Sequence, residues 1–372
     1  MPSPTLTGKA RLPIRDMILF GFWPSPLKRL IYRLKGYRIG RGVSFGFGSV
    51  LLGEDVEVGD ETEIGFLTVV RGKKIRIGAY VQIGSMTIID APLVEIGEGT
   101  KINEQVFVGG LQFPDSKFIV GRNCQIMQMT FINPTHSVVI GDDSGIGGHC
   151  LLFGHTTWLS QFEGYPVDFD SIEIGRSVSV SWRVFLLPGT RIGDGSIIGA
   201  NSLVRGSIPA RSLAMGFPAR VVSAAPEFPR PVTDPDRAQI LVGIANDLLA
   251  FLRGYGFECH PSDAWVEVRP PQDSPSPPDG GLWRYVIQAG LEASAPPPDS
   301  WPRLDAVVSL KRIPAEVRRV WETRGTLWID IEAKERAIRS NPIGEELVQF
   351  LRRYGVRFDR QPALTGDARP KP

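Results

Sequence analysis

Cysteine and histidine are scarce in this chain. Among its 372 residues are 3 cysteines and 4 histidines. Cys124, Cys150 and Cys259 have no CxxC spacing, so neither a disulfide framework nor a zinc site is indicated, and a reducing compartment is the default. The formal net charge of +2 provides no strong global field that would favour nucleic acid as a partner.

Long apolar runs are also lacking. Met17–Trp23 is apolar but short, and Pro24 follows it. A bilayer span needs about 20 apolar residues, and the beginning of the chain does not have the layout of a signal peptide. We therefore expect a cytoplasmic protein.

The sequence does contain a six-residue rhythm. Ile or Val followed by Gly recurs at this spacing at Val58-Gly59 and Ile64-Gly65, Ile77-Gly78 and Ile83-Gly84, Ile140-Gly141 and Ile146-Gly147, and Ile192-Gly193 and Ile198-Gly199. The period fits neither one helix face nor one hairpin, but it fits a solenoid whose unit is a short strand plus a corner. The aliphatic residue would point into the tube, and a Cβ at the glycine would clash or strain the corner. Three units would close a triangular coil of roughly eighteen residues.

The most specific pattern lies in the last coils, Leu187–Val204, followed by Gly216-Phe217-Pro218-Ala219-Arg220-Val221. Repeats with this ending resemble the hexapeptide-repeat, CoA-dependent acyltransferases, close to the O-acetyltransferases of polysaccharide biosynthesis and the xenobiotic-acetyltransferase branch. The resemblance covers about residues 37–222. It implies a mainly β protein, a left-handed parallel β-helix, that assembles as a homotrimer.

The pattern divides the chain into four parts. Residues 1–36 form an N-terminal segment with a capping helix, residues 37–222 the acyltransferase solenoid, residues 223–235 a Pro-rich linker, and residues 236–372 a C-terminal α/β (α+β) accessory domain. In the solenoid, residues 102–119 and 156–171 leave the rhythm, and such excursions usually carry binding groups.

The N-terminal helix is predicted over residues 25–35. Ser25 is a candidate N-cap, Pro26 sits at the first helical position, and Gly36 follows the end. One face is apolar, with Leu27, Leu30, Ile31 and Leu34, and the rest is basic. The helix could cap the open end of the solenoid, and the alternative is a basic amphipathic element that contacts a membrane surface.

The accessory domain changes period. Helical spacing is predicted over residues 238–253, 314–322 and 345–353, and strands over 265–268, 283–289, 306–310 and 327–331. The segments 251–257 and 350–356 echo each other, each a helix that ends near Gly and passes into a strand. No motif in this domain indicates a family, so its role is left open.

His155 is the candidate catalytic base. An alcohol is a poor nucleophile until its proton is being removed, and histidine is well suited to remove it near pH 7. In the acyltransferases that the chain resembles, the catalytic base is a histidine that follows an Ile-Gly-rich coil and precedes a loop. His155 has the same position in this sequence. His136 is predicted to be a solvated corner residue, and His260 lies outside the solenoid.

The resemblance also suggests substrate contacts. His149 and Tyr165 are candidates, although the gap from His155 to Tyr165 is longer than in the xenobiotic branch. Trp182 could stack on a ligand or pack between subunits. Backbone near Ala200 and Ser202 matches the family's pantetheine groove, and Arg205 and Arg220 stand where the family places cations for CoA phosphates.

These residues predict transfer of an acetyl or other short acyl group from acyl-CoA, with no metal, to a sugar hydroxyl in surface polysaccharide or lipid-linked glycan biosynthesis. One alternative is a γ-type carbonic anhydrase, which shares the fold but needs three zinc-binding histidines. His149 and His155 do not have the required spacing. The other alternative is a non-catalytic scaffold, which would have no use for the phosphate-binding cations.

Overall fold

The computed structural model describes residues 13–156, 158–262, 264–277, 281–288 and 301–361. The chain divides into two compact units, residues 1–231 and 232–372. Each unit has its own hydrophobic core, one built from solenoid residues and the other from residues beyond Leu241.

The first unit is a parallel β-helix whose chain visits three sheets in turn. The first sheet contains Arg38–Ile39, Asp55–Val58, Lys74–Ile77, Leu93–Ile96, Lys117–Val120, Ser137–Ile140, Ile172–Ile174, Arg191–Ile192 and Ser207–Ile208. The second sheet contains Ser44–Phe45, Glu63–Ile64, Gln82–Ile83, Lys101–Ile102, Gln125–Ile126, Gly145–Ile146, Ser179–Val180, Ile197–Ile198, Ser212–Gly216 and Ala219–Ala224. The third sheet contains Val50–Leu52, Val69–Arg71, Ile88–Asp90, Phe107–Val108, Phe131–Asn133, Leu151–Phe153, Phe185–Leu186 and Leu203–Val204.

Neighbouring coils pair residue for residue, so aliphatic side chains stack inside the tube. In the first sheet, Val56 pairs with Ile75, and Ile75 pairs with Val94. Burial alternates along Asp55–Val58, with the two valines buried and the two acids exposed. The predicted fold class, a β-helix solenoid with a short N-terminal helix and a C-terminal α/β region, is confirmed.

The repeating glycine is required by close packing between coils. A Cβ added at Gly59 would lie 2.4 Å from Ala79 N in the next coil. The left-handed backbone of the same corner falls two residues later, at Glu61 with φ 55°. The corner therefore bears its conformational strain at a non-glycine residue and keeps glycine where the coils touch.

Short helices precede the solenoid. An α-turn at Ile14–Asp16 leads into a π-helical turn at Met17–Gly21, and an α-helix spans Ser25–Leu34. Ser25 does not cap this helix: the N-cap residue is Pro24, and Ser25 Oγ accepts a hydrogen bond from Phe45 N at 2.9 Å. The sequence predicted the helix but not this use of its first serine.

The helix packs on the solenoid through a side that the sequence assigned to solvent. Lys28 and Tyr32 are buried, whereas Leu30 and Leu34 are 54% and 78% exposed. Lys28 Nζ donates to the carbonyl oxygens of Gly46 at 2.7 Å and Ser49 at 2.9 Å. The first coil offers carbonyl oxygens at this place rather than an apolar surface, so an ammonium group covers it better than a leucine.

Both excursions from the rhythm leave the solenoid at the same corner, between the third and first sheets. The first separates Phe107–Val108 from Lys117–Val120. The second separates Leu151–Phe153 from Ile172–Ile174 and contains a small antiparallel hairpin, His155–Thr156 with Asp168–Phe169, and a 3₁₀ turn at Gln161–Glu163. This corner therefore carries most of the chain that is not needed to build a coil.

The second unit is a mixed sheet with three helices. Its described strands, in spatial order, are Glu258–Pro261, Val266–Arg269, Trp283–Gln288, Ala306–Ser309, Leu327–Asp330, Glu335–Ala337 and Asp359–Gln361. Its described helices are Asp234–Gly254, Ala315–Thr323 and Pro342–Arg353. The two echoing segments end alike, with left-handed Gly256 and Gly355 at φ 84° and 81°. Their rings Phe251 and Phe350 pack together at 5.3 Å between centroids.

Candidate active site

His155 lies where the second excursion leaves the third sheet. It opens the small hairpin and pairs with Phe169 on the returning strand. The two rings are stacked, with centroids 6.1 Å apart and planes inclined by 13°. The hairpin therefore fixes the imidazole between the solenoid wall and an aromatic ring.

Two buried polar residues of the preceding coil hold the inner nitrogen of His155. Asn133 Nδ2 lies 2.9 Å from His155 Nδ1, and Thr135 Oγ1 lies 3.3 Å from the same nitrogen. Thr135 Oγ1 also donates to Asn133 Oδ1 at 3.1 Å. Asn133 and Thr135 are 2% and 0% exposed, so this network is walled off from solvent. Buried, connected networks of this kind restrict side-chain orientation.

The orientation of the Asn133 amide sets the tautomer of His155. With Nδ2 donating, His155 Nδ1 accepts, and the ring proton is on Nε2. With the amide turned over, Oδ1 accepts from Nδ1–H, Nδ2 donates to Thr135 Oγ1, and the lone pair is on Nε2. A base that acts through Nε2 requires the second arrangement, which satisfies the same groups.

Burial lowers the pKa of His155 below its ordinary value, because desolvation disfavours the imidazolium form. The side chain is only partly buried, so solvent or an acceptor can still reach it. A lowered pKa keeps the ring neutral at pH 7, which is the form that accepts a proton.

Aromatic side chains extend the wall beside His155. Phe113, from the first excursion, meets Phe169 edge to face at 5.8 Å and stacks on His136 at 4.7 Å between centroids. His136 Nδ1 lies 3.1 Å from Asp115 Oδ2. His136, predicted to be a solvated corner residue, keeps 31% of its side-chain exposure and carries the phenyl ring on one face. Both excursions contribute to one site.

Arg205 belongs to the same corner as His155. Its Nη2 lies 3.5 Å from Asp168 Oδ2, on the hairpin strand that carries Phe169, and most of the side chain is exposed. At this exposure the ion pair contributes little to stability. The pair nevertheless places a cation beside the hairpin that holds His155.

His149 and Trp182 lie at a different corner, between the second and third sheets. Their rings are 6.0 Å apart, and His149 has a left-handed φ of 56°. The Trp182 ring covers Gly148, where an added Cβ would lie 2.5 Å from the indole. The strand Leu151–Phe153 separates these residues from His155, so one chain does not bring the two histidines together.

The other predicted CoA contacts continue the Trp182 corner. Asn201 N donates to Trp182 O at 3.1 Å, which places Ala200 on the exposed corner of the following coil. Ser202 is buried, and its Oγ donates to Gly199 O at 2.6 Å and accepts from Gly216 N at 3.1 Å. Its hydroxyl is thus part of the corner itself.

Arg220 lies at the end of this column of corners. It pairs with Met215 across the closing antiparallel hairpin, and its exposed guanidinium donates to Ala219 O at 3.1 Å. Tyr165 lies elsewhere, 45% exposed on the second excursion. The candidate residues therefore form two groups: His155 with Arg205, and His149 with Trp182, Ala200 and Arg220.

Asn133, Thr135 and Phe169 were not predicted. The pairing register between coils is the signal that could have identified Asn133 and Thr135. Asn133 is paired with Phe153 in the neighbouring coil, which places Asn133–Thr135 alongside Phe153–His155. Within the described ranges, no group of three His, Cys, Asp or Glu side chains is arranged to hold a metal ion. The described helices include none with both the length and the apolarity of a membrane span.

The fold and the site thus define a parallel β-helix with a histidine held at one corner by a buried amide and a hydroxyl. Proteins of known sequence were compared with this chain. No family model matches it. An Escherichia coli protein provisionally named as the lipopolysaccharide biosynthesis O-acetyl transferase WbbJ is 35% identical over 112 residues, which are 27% of this chain and 57% of that protein. The galactoside O-acetyltransferase of Escherichia coli is 33% identical over 119 residues, 29% of this chain and 58% of that protein.

The chain spans little more than half the length of these relatives. Their names confirm the resemblance to the acetyltransferases over part of the solenoid. Among solved structures, the polySia-specific acetyltransferase NeuO is 19% identical, covers 56% of this chain and 93% of its own, and superposes with a TM-score of 0.32. Because that score is low, the fold assignment depends on the strand register described above.

Proposed function

We propose that the chain transfers an acetyl or other short acyl group from acyl-CoA to a hydroxyl group of a sugar. The observation that carries the proposal is the buried Asn133–Thr135 network on Nδ1 of His155, in a solenoid similar in sequence to O-acetyltransferases. The names of the two relatives support a sugar acceptor, and surface polysaccharide or lipid-linked glycan is the acceptor class that we infer.

In the proposed reaction, His155 Nε2 removes the proton of the acceptor hydroxyl as its oxygen attacks the thioester carbonyl. The ester C–O bond forms and the C–S bond breaks, and the imidazolium returns its proton to the departing thiolate. Asn133 and Thr135 hold the ring in place throughout. Backbone N–H groups of the coils would stabilise the negative charge that develops on the carbonyl oxygen.

The residues that would hold acyl-CoA fit an extended, anionic co-substrate. The Trp182 corner supplies a flat indole and exposed backbone at Ala200, and Arg220 supplies an exposed cation at its end. Cations of this type bind phosphate groups through charge-assisted hydrogen bonds. Ser202 contributes to the shape of this corner rather than a free hydroxyl.

We further propose a homotrimer as the active assembly. The His155 corner and the Trp182 corner lie at opposite ends of one strand, so a single chain does not enclose a thioester and its acceptor. Side-by-side packing of copies would place the His155 corner of one beside the Trp182 corner of the next. Trp158 and Phe162, which are almost fully exposed on the second excursion, are available for that contact.

The decisive experiment follows thiol release from acetyl-CoA with a panel of sugars. Wild-type protein should release CoA in an acceptor-dependent manner. His155→Ala should lower turnover by roughly two to four orders of magnitude, the usual contribution of a positioned general base, with little change in acetyl-CoA binding. His260→Ala, at an exposed position of the second unit, is the matched control, and a dead His149→Ala variant beside an active His155→Ala variant would refute the assignment.

The N-terminal helix supports peripheral contact with an anionic membrane surface. Its exposed side carries Leu30 and Leu34, and Ile18 and Phe22, which precede the helix in the chain, are exposed as well. Arg29 and Lys35 flank this side and match an anionic lipid surface. Apolar insertion combined with basic residues is how amphipathic helices bind such surfaces.

Co-sedimentation with vesicles tests this contact. The protein should pellet with vesicles that contain phosphatidylserine and remain in solution with pure phosphatidylcholine. The double variant Leu30→Glu, Leu34→Glu should lose binding, whereas Val242→Glu, at an exposed position of the second unit, should not. Equal pelleting of both variants would contradict the proposal.

We propose that residues 236–372 serve acceptor recognition or partner docking rather than the transfer step. This unit contains a cavity of about 400 Å³ whose lining includes Trp283, Arg303, Asp305 and Glu322. An aromatic ring with several charged groups suits a polar, ring-shaped ligand.

A further inference from the structure

Several arginine side chains lie around Glu345 of the helix Pro342–Arg353. Arg336 and Arg360 are direct neighbours on two parallel strands, Glu335–Ala337 and Asp359–Gln361. Neighbouring residues in register project from the same face of a sheet, and like charges in this position repel each other. The arrangement costs stability unless something negative offsets it.

Arg336 is the most deeply buried member of the group. It is 2% exposed, and its Nη1 donates to Glu345 Oε1 at 2.7 Å. Its second terminal nitrogen, Nη2, is buried and has no hydrogen-bond partner in the described part of the chain. A buried guanidinium with an unsatisfied donor is expensive, because it loses water without gaining a replacement.

Arg352 and Arg357 belong to the same group. Burial, and then the positive charges of Arg360, Arg336 and Arg357, lower the pKa of Arg352 to about 10. Arg352, Arg357 and Arg360 are each partly exposed, so a solute can reach them from the surface.

One carboxylate in the described chain is placed among these cations. Burial opposes ionisation of Glu345, yet the charge of Arg336, hydrogen bonds from Ser340 and Arg336, and the charge of Arg360 keep its pKa below the ordinary value. The acids of the two strands, Glu335 and Asp359, pair in register one residue earlier and so project to the opposite face. Glu335 is engaged there by Arg318 at 2.6 Å.

We propose that the Arg336–Arg352–Arg357–Arg360 cluster is a binding site for a phosphoryl group, as carried by a phosphorylated or nucleotide-linked sugar. Guanidinium forks bind the tetrahedral, multiply charged phosphoryl group with several hydrogen bonds at once. The free Nη2 of Arg336 supplies a donor at the buried end, and the three partly exposed arginines supply the entrance. The site is separate from the acyl-transfer residues and needs no acetyl-CoA.

Calorimetric titration of the full-length protein with sodium pyrophosphate, at an ionic strength fixed with sodium chloride, tests this site. Wild-type protein should bind saturably at one site per chain. Arg352→Gln should weaken binding by about tenfold or more, the usual effect of losing one charge-assisted bond. Arg319→Gln, which removes the same charge from an exposed position on another helix, should leave affinity unchanged.

Glu345→Gln should change pyrophosphate affinity in the direction opposite to Arg352→Gln. A gain of affinity cannot be explained by a variant that fails to fold. It removes the competing carboxylate, so pyrophosphate should bind several-fold more tightly and raise the melting temperature more than in wild type. Glucose 1-phosphate should bind at the same site, whereas glucuronate should bind weakly. The proposal would be overturned if the wild-type protein did not bind pyrophosphate detectably, if Arg319→Gln weakened pyrophosphate binding as much as Arg352→Gln does, or if glucuronate bound as tightly as glucose 1-phosphate. These outcomes do not depend on the result with acetyl-CoA.

Discussion

At the scale of single residues, the proposed reaction makes Asn133 decisive for His155. A base at Nε2 needs its proton on Nδ1, and Asn133 and Thr135 are the groups that meet Nδ1. His155 has a pKa lowered by burial. In the proposed reaction the neutral ring is the base, so kcat/KM should rise with pH through a pKa below about 6.5 and be level above it.

We expect Asn133→Ala to lower kcat roughly 10- to 100-fold, the usual effect of losing an orienting partner of a histidine. Asn133→Asp should restore much of that loss, because a carboxylate can only accept from Nδ1–H. The added negative charge should also raise the pKa of His155 and shift the acid limb of the profile to higher pH. An unchanged acid limb in the Asp variant, measured by kcat/KM against pH, would show that residue 133 does not face the working imidazole.

Arg220 is expected to contact a phosphate group of CoA. Removal of a charge-assisted phosphate bond costs about 1.5–3 kcal/mol. If the contact is to the 3′-phosphate, Arg220→Ala should therefore lower the affinity for CoA by about 10-fold or more. The affinity for dephospho-CoA should change much less. Isothermal titration of both ligands measures this difference, with Arg211→Ala at another exposed corner as the control. Equal weakening of CoA and dephospho-CoA would place Arg220 away from that phosphate.

At the scale of elements, the sequence predicted the N-terminal helix but not the side that packs. Periodicity located Ser25–Leu34 almost to the residue, because Pro26 and Gly36 mark its ends. It could not show that the surface beneath the helix is a ring of carbonyl groups. That information comes from the edge of the first coil, where Gly46 O and Ser49 O accept from Lys28 Nζ and Leu51 N donates to the Tyr32 hydroxyl oxygen.

Contacts between distant parts of the chain were likewise not predictable in the site and in the second unit. His155 could be chosen from the sequence because it stands between a repeat and a break in it. Asn133 could not, because its contact depends on how many residues each coil contains. In the second unit, local patterns located Trp283–Gln288 and Leu327–Asp330, whereas the adjacency of Arg336 and Arg360 is a long-range pairing that no local pattern encodes.

The burial of Lys28 makes a prediction about stability. Lys28→Met keeps the length of the side chain but removes the ammonium that donates to Ser49 O, while Gly46 O keeps its hydrogen bonds from Ser49 N and Ser49 Oγ. We expect the free energy of unfolding to fall by about 1–3 kcal/mol, the cost of unsatisfied buried groups. Arg29→Met, on the same helix, should change it little, and thermal unfolding of both variants provides the comparison. An unchanged free energy of unfolding in Lys28→Met would mean that water replaces the ammonium group at the end of the solenoid.

At the scale of the whole molecule, each unit has a complete core of its own, so each should fold alone. A protein ending at Pro231 retains every solenoid strand and the closing hairpin. We expect it to remain trimeric by sedimentation equilibrium, bind acetyl-CoA and hydrolyse it slowly, while losing efficiency toward its acceptor. An insoluble or monomeric product would show that residues 232–372 are needed to build the solenoid assembly.

The corner between the third and first sheets has a consequence for how such a protein diversifies. The corner between the second and third sheets has the same length in every coil, whereas the corner at His155 varies from a tight turn to a hairpin. In the described coils, extra residues therefore occur at one seam along the tube and not at the other. We expect that lengthening a loop at that seam changes the shape of the proposed acceptor site while the coils of the tube keep their packing.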